Sequence, residues 1–235
     1  MNQFFYSDNI FDETIILPKE EAHHALQVLR KNIGDTIITV DGKGGLYESI
    51  IDSDNVNNCK LKIISKKDNY EKPNHYIHIA IAPPKSHDRL EWFVEKSVEI
   101  GIQEISFIHT QYSERKNIKL NRVIRRATSS MKQSLKSYLP IINDLIPFSS
   151  FISSCSNAEK YIGYLGIEGS KFLSNTIYKE KNYCVLIGPE GDFIPEEVNE
   201  ASSFGFQCIS LGKNRLRTET AGIAACHILN IMNEK

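Results

Sequence analysis

The chain has 235 residues, 41% hydrophobic and 24% charged, with a net charge of −1 at pH 7. It is long enough to bury a sizeable core in one large domain or two smaller ones, and its composition excludes disordered, fibrous and membrane-spanning classes. The five cysteines show no C-x-x-C spacing, which argues against a disulfide framework or a zinc site, and the N-terminus lacks the regions of a signal peptide. A cytoplasmic protein with reduced thiols is expected.

Residues 1 to about 70 read as a β-rich module with one helix. Ala22, Ala25, Leu26 and Leu29 recur at helical spacing within residues 20–29. Residues 37–40 and 46–51 flank the turn Asp41-Gly42-Lys43-Gly44-Gly45 and read as a hairpin, and residues 61–65 add a strand. His23 and His24 are helix neighbours pointing in different directions, so they do not chelate one metal. Arg30-Lys31 at the helix end either complements the helix dipole or meets phosphate. The polar run 66–74, ending Pro73-Asn74, is the best linker in the chain.

From Tyr76 onward apolar runs alternate with helical patterns. Residues 77–82 predict a strand, and Leu90, Phe93, Val94 and Val98 one face of a helix closed by Gly101. Residues 105–108 predict the next strand. A helix over about 120–135 is expected to bury Val123, Ile124, Ala127, Met131 and Leu135. Strands at 161–165, 184–187 and 207–211 follow with helices between. This alternation predicts an α/β fold, a parallel sheet with helices on both faces. No strand is followed by G-x-G-x-x-G, which argues against a Rossmann dinucleotide site.

Two stretches carry the chemistry. Residues 183–225 contain two buried-strand patterns, each left through a glycine turn, at 188–191 and at 212. Glu190, Arg215, Arg217 and Glu219 crowd those turns, and charge among buried elements is costly unless paired or used. Ligands of open α/β sheets sit at such a carboxyl edge. Residues 113–139 hold eight cations against Glu114 alone, a net of +7, leaving −8 on the rest of the chain. A one-sign segment repels itself unless an anion is near, and phosphate backbone is the obvious candidate, with a merely basic surface as the alternative. Arg115, Arg122, Arg125, Arg126, Lys132 and Lys136 are the candidate RNA contacts, extended by Lys85 and Arg89.

LIGPEGDF (186–193) followed by SLGKNRLRTETA (210–221) resembles the signature of the RsmE family of ribosomal RNA methyltransferases, within the SPOUT superfamily. HHALQVLR (23–30), KSHDRLEWFVEKSVEIG (85–101), SERK (113–116) and KQSLKSYLP (132–140) match in the family's order, so the resemblance covers nearly the whole chain. The family usually has glycine where Asp192 stands, glutamate at Lys132 and arginine at Lys136. The resemblance implies a PUA-like RNA-binding β-barrel over 1–70 and a SPOUT domain with a trefoil knot over 75–235. It also implies a homodimer joined through the knotted region. The implied activity is transfer of a methyl group from S-adenosylmethionine to N3 of a uridine in small-subunit (16S) rRNA. The implied substrate is an assembled or nearly assembled ribosomal subunit, with neither metal nor membrane involved. Ile187, Gly188, Pro189, Glu190, Gly191, Leu211, Gly212, Leu216 and Thr220 would hold the cofactor, with Glu168 in a third wall. The resemblance assigns Arg30 to RNA.

Uracil N3 must lose a proton, and a cation stabilises the resulting anion. Arg217 is the catalytic candidate, with Glu219 orienting it or taking the proton. A structural ion pair of Arg217 with Glu190 or Glu219 is the alternative. Two other functions stay open: a SPOUT enzyme acting on another base or RNA, and an RNA-binding protein with an inactive cofactor pocket.

Overall fold

The computed structural model describes residues 3–166 and 170–234. The chain divides into two compact units, Met1–Lys72 with Thr128–Leu139, and Pro73–Ala127 with Pro140–Lys235.

In the first unit, β1 (Phe4–Tyr6), β2 (Ile10–Phe11), β3 (Thr14–Ile16), β4 (Thr36–Val40), β5 (Leu46–Ile51) and β6 (Lys60–Lys67) form one sheet in the order β1-β4-β5-β6-β3-β2. Its two end strands are consecutive in the chain, so the sheet must curl until both ends come within reach of the short link between them. Ser7 makes that seam. Its N–H donates to Val40 O (3.1 Å) and its hydroxyl to Ile16 O (2.6 Å). Phe5, Ile15, Ile37, Tyr47, Ile51 and Leu61 fill the interior.

The expected single helix is instead α1 (Lys19–His23) running into a π-helical turn, His24–Val28. The wider turn rotates the last residues off the buried face, so Ala22, Ala25 and Leu26 are buried while Leu29 is 39% exposed. Residues 137–139 join this unit through Gly44 N–H to Ser137 O (3.0 Å), Leu139 N–H to Gly42 O (2.9 Å) and Ser137 Oγ to Tyr70 O (2.6 Å). The polar run at 66–74 marks where the chain leaves this unit and carries no sign of where it returns.

The second unit holds β7 (Tyr76–Ile81), α2 (His87–Ile100), β8 (Glu104–His109), the start of α3 (Leu120–Gln133), β9 (Ile141–Pro147), α4 (Phe148–Ser154), β10 (Glu159–Gly163), β11 (Asn182–Ile187), α5 (Pro195–Ser203), β12 (Gln207–Ile209) and α6 (Thr218–Asn233). Its strands are all parallel, in the order β12-β10-β11-β7-β8-β9. Alternate residues serve opposite faces. Ala80, Ile162, Cys184 and Leu186 pack with α4 and α5 residues such as Phe151, Ile152, Val198 and Ala201. On the other face α6 approaches closely through Gly222, where a Cβ would lie 2.5 Å from Phe93 of α2 and 3.2 Å from Ile81. α2 ends at Gly101 in the left-handed region (φ 118°), as its pattern predicts.

Leu135 departs from the expected buried stripe. It sits beyond α3 in a left-handed turn (φ 56°), with Lys136 N–H bonded to Met131 O, and is 40% exposed.

Candidate functional site

The strand order places the loops after β10, β11 and β12 together at the carboxyl edge of the second sheet. They enclose a cavity of about 340 Å³ with Gly163, Tyr164 and Leu165 on one wall, Ile187–Glu190 and Asp192 on a second, and Ile209–Gly212 with 214–218 on a third; Arg89 and Ala221 complete the lining. That is the size and mixed character of a small-molecule pocket.

Two backbone devices shape it. Gly212 has φ 143°, and a Cβ there would meet no heavy atom within 4 Å, so at this wall the backbone itself faces open space. Asp192 is left-handed (φ 64°) and ends a turn whose N–H returns to Pro189 O at 3.0 Å. That conformation favours the glycine usual at this position; aspartate is among the few other residues that adopt it readily. Its carboxylate accepts the Phe193 N–H (2.8 Å) and the Leu165 N–H (3.3 Å), tying the β11 loop to the β10 loop.

Of the expected cofactor residues, Ile187, Gly188, Pro189, Glu190, Leu211, Gly212 and Leu216 line the cavity. Gly191 and Thr220 adjoin it without lining it, and Glu168 lies outside the described residues. Sequence reasoning did not single out Asp192, Ser210 or Asn214 as lining residues; a turn's side chains show no periodicity to find them by.

Arg217 lines the cavity and Glu219 does not. Arg217 is the N-cap of α6, extended (φ −74°, ψ 157°), with its side chain exposed and making no cap. Among the described residues it has no ion-pair partner, so neither Glu190 nor Glu219 holds it. Glu190 Oε1 accepts the Lys85 N–H at 3.3 Å. Glu219 is buried, its Oε1 3.6 Å from Arg89 Nε, and its Oε2 has no hydrogen-bond partner among the described residues.

Residues 71–230 match the RNA methyltransferase domain family, and residues 17–64 the RNA methyltransferase PUA domain. The chain is 31% identical over 172 residues to the ribosomal RNA small subunit methyltransferase E of Mesomycoplasma hyopneumoniae, covering 71% of this chain and 74% of that one. The chain belongs to the ribosomal RNA small subunit methyltransferase E family.

Among solved structures, the chain is similar to a probable rRNA-methyltransferase from Porphyromonas gingivalis (TM-score 0.90, 39% identity, covering 97% of this chain and 98% of that one). It is also similar to the ribosomal RNA small subunit methyltransferase E of Neisseria gonorrhoeae, solved bound to S-adenosyl methionine (TM-score 0.88, 25% identity, covering 99% and 98%).

The basic segment of this family member is less bare than its sequence implies. Glu91 receives Arg122 and Arg126 (Nη2 3.1 Å), and Glu95 receives Arg126 Nη1 at 3.2 Å. Burial would raise the Glu91 carboxyl, but the hydrogen bonds from Arg126 and Arg122 prevail and hold it below its ordinary value. In the first unit Lys132 pairs with Glu21. Lys85 pairs with Glu114 at 2.7 Å. Arg115 donates to Pro84 O (3.0 Å), to Lys85 O and to His87, so it clamps a loop. The anions that balance this segment therefore come from distant stretches of the same chain, which a count over 113–139 omits. Among the described residues Arg125 donates only to Asn121 O (3.3 Å), and Arg30, Lys116, Lys119 and Lys136 have no counter-charge.

A second cavity, of about 440 Å³, lies toward the amino ends of β7, β8 and β9. His78 is buried there, with Nε2 2.8 Å from Ser106 Oγ and Nδ1 3.5 Å from Glu104 Oε2; Asn143 donates to both Glu104 (2.7 Å) and Ser106 (2.8 Å). These groups satisfy one another, which accounts for polar residues in a buried place. Among the described residues no cluster of His, Cys, Asp and Glu forms a metal site, and no helix is long and apolar enough to cross a membrane.

Proposed function

We propose that this protein transfers a methyl group from S-adenosylmethionine, bound in the 340 Å³ cavity, to N3 of a uridine in small-subunit rRNA. The observation that carries the reading is the three-loop cavity with Arg217 on its wall. The cavity fits the cofactor: Ile187, Leu211 and Leu216 offer apolar surface, and Gly212, whose Cβ position is open, offers bare backbone for close approach. Bound there, the cofactor supplies an electrophilic methyl on a sulfonium.

The chain's own work is to hold the uracil in line and to stabilise charge at its ring. Arginine at an N-cap is a poor choice for stability: it offers no acceptor to the first turn and places a cation at the positive end of the helix. Its guanidinium, with no ion-pair partner among the described residues, is thereby left for substrate, and we assign it the uracil anion formed as the N3 proton passes to solvent. Glu219, buried against Arg89, positions Arg89 at the cavity wall and does not orient Arg217. Phosphate contacts fall first to Arg125 in the second unit and to Arg30 and Lys136 in the first, with Lys85, Arg89, Arg115, Arg122, Arg126 and Lys132 available through exchange of their present partners. A homodimer, a knotted C-terminal region, a cytoplasmic location and an assembled subunit as substrate complete the proposal.

The test is single-turnover methylation of small-subunit particles. R217A is expected to slow transfer by two to three orders of magnitude, the usual scale for removing one such donor, with cofactor affinity unchanged and partial recovery at high pH, where N3 ionises unaided. R217K, which keeps charge without the planar fork, retains part of the rate. Loss of cofactor binding in parallel with rate would remove Arg217 from the chemistry.

A further inference from the structure

Tyr112 stands at the rim of the cofactor cavity with no part in lining it. It is 54% exposed, yet it is mounted more firmly than an exposed loop residue usually is. Ser113 Oγ accepts the Thr110 N–H at 2.9 Å and lies 2.9 Å from Thr110 Oγ1, while the Ser113 N–H returns to Thr110 O at 3.1 Å. The Gln111 N–H donates to Oε1 of buried Glu197 at 2.8 Å, and the other oxygen of that carboxylate accepts the Ile194 N–H at 3.0 Å. The turn carrying Tyr112 is thus pinned both to itself and to the start of α5.

On its inner side Tyr112 packs on the bare Cα of Gly191, where a Cβ would lie 3.1 Å from Tyr112 Cβ and 3.2 Å from its Cγ. Any side chain at 191 would press on the tyrosine and push it outward by a few tenths of an ångström. The neighbours of that glycine, Glu190 and Asp192, both line the cavity. The chain running on from Tyr112 carries Lys116 and Lys119, exposed and without counter-charge among the described residues.

We propose that Tyr112 is a stacking platform for a nucleobase of the substrate RNA, at or beside the target uridine. The inference rests on the reading that the substrate is RNA. Sequence-specific recognition of RNA works on unstacked bases laid on aromatic faces. A ring already fixed loses little freedom on stacking, and lysines following it in the chain suit the adjoining phosphates. The phenol hydroxyl has no necessary part.

The experiment compares the full-length wild type with Y112A, Y112L and Y112F in three measurements: single-turnover methylation of small-subunit particles, equilibrium affinity for a labelled small-subunit rRNA fragment, and cofactor affinity by calorimetry. Loss of one stacked base predicts that Y112A and Y112L lower the single-turnover rate at sub-saturating enzyme, and RNA affinity, on the order of tenfold to a hundredfold. Y112F should stay near wild type, and cofactor affinity should be unchanged in all three. Equal RNA affinity in Y112A and wild type overturns the platform, as does a cofactor affinity that falls in step, which would make Tyr112 a support for the Gly191 loop. A Y112F as defective as Y112A would also overturn it. If the wild type transfers no methyl group but Y112A still weakens RNA binding, the methylation reading fails and the platform stands.

Discussion

Arg89 Nε lies 3.6 Å from Glu219 Oε1, and the two differ sharply in burial: the side chain of Glu219 is 5% exposed and that of Arg89 42%. The carboxylate is therefore out of water and, among the described residues, has one cation facing it and a second oxygen unpartnered. A buried charge stripped of its partner is strongly destabilising, but Arg89 is open enough for water to replace it in part. R89M should cost about 1–3 kcal/mol in urea denaturation. The double variant R89M/E219Q should recover part of that loss. Additive losses would show that the two residues do not act as a pair.

Asp192 links two walls of the cavity in a conformation glycine adopts more easily. D192G relieves the left-handed strain but drops the bonds to the Leu165 and Phe193 N–H groups, so overall stability should fall by about 1 kcal/mol. Cofactor affinity should fall several-fold as the β10 loop loosens. Replacing Gly212 by valine is expected to do more, because φ 143° is strained for any side chain. Calorimetric titration reads both; unchanged affinity in G212V would remove the β12 loop from the site.

The cations of α3 should not count equally in RNA binding. Arg122 and Arg126 already face Glu91 and Glu95, so each gives up an intramolecular partner as it takes a phosphate. Arg125 does not. R125Q is expected to reduce the slope of log K against log salt by about one, and R126Q by less. Equal slopes across wild type and both variants would mean that α3 faces something other than phosphate.

Burial lowers the pKa of His78, although Glu104 and the hydrogen bond with Asn157 pull the other way. The folded value is thus below the ordinary histidine value, and the unfolded chain binds the extra proton first. Stability is then fully present above pH of about 6.5 and falls as pH drops below it, by at most about 1.4 kcal/mol per pH unit for one proton. His75 and His87 are lowered too, mainly by burial, so the total slope belongs to several groups. H78Q isolates one: it should be less stable than wild type at pH 7.5 but lose less between pH 7 and 5.5. Parallel curves in urea denaturation would mean that His78 does not titrate in that window.

Much of the C-terminal fold is legible in the sequence. β7, β8 and β11 are short apolar runs bounded by turn residues, and α2 carries both an apolar stripe and a glycine stop. Local sterics and burial of one face are enough to specify such elements. β9 and α4 were not legible, because Asn143-Asp144 interrupts the apolar run and residues 148–154 are too short to show a helical period. The two glycine turns at 188–191 and 212 were visible as candidates because each needs backbone that few other residues supply.

What the tertiary structure alone decided are relationships between residues far apart in the chain. It pairs Glu91 with Arg122 and Arg126, and so cancels charge that a linear count leaves unbalanced. It gives Glu219 to Arg89 rather than to Arg217, two residues away, because Arg217 is the extended, exposed N-cap while Glu219 lies in the first turn of α6 on its buried side. It seats Tyr112 on Gly191 across 79 positions of chain. Periodicity reports which face of an element is buried; it carries no information about which other element covers that face, since that choice is made by the packing of the whole core.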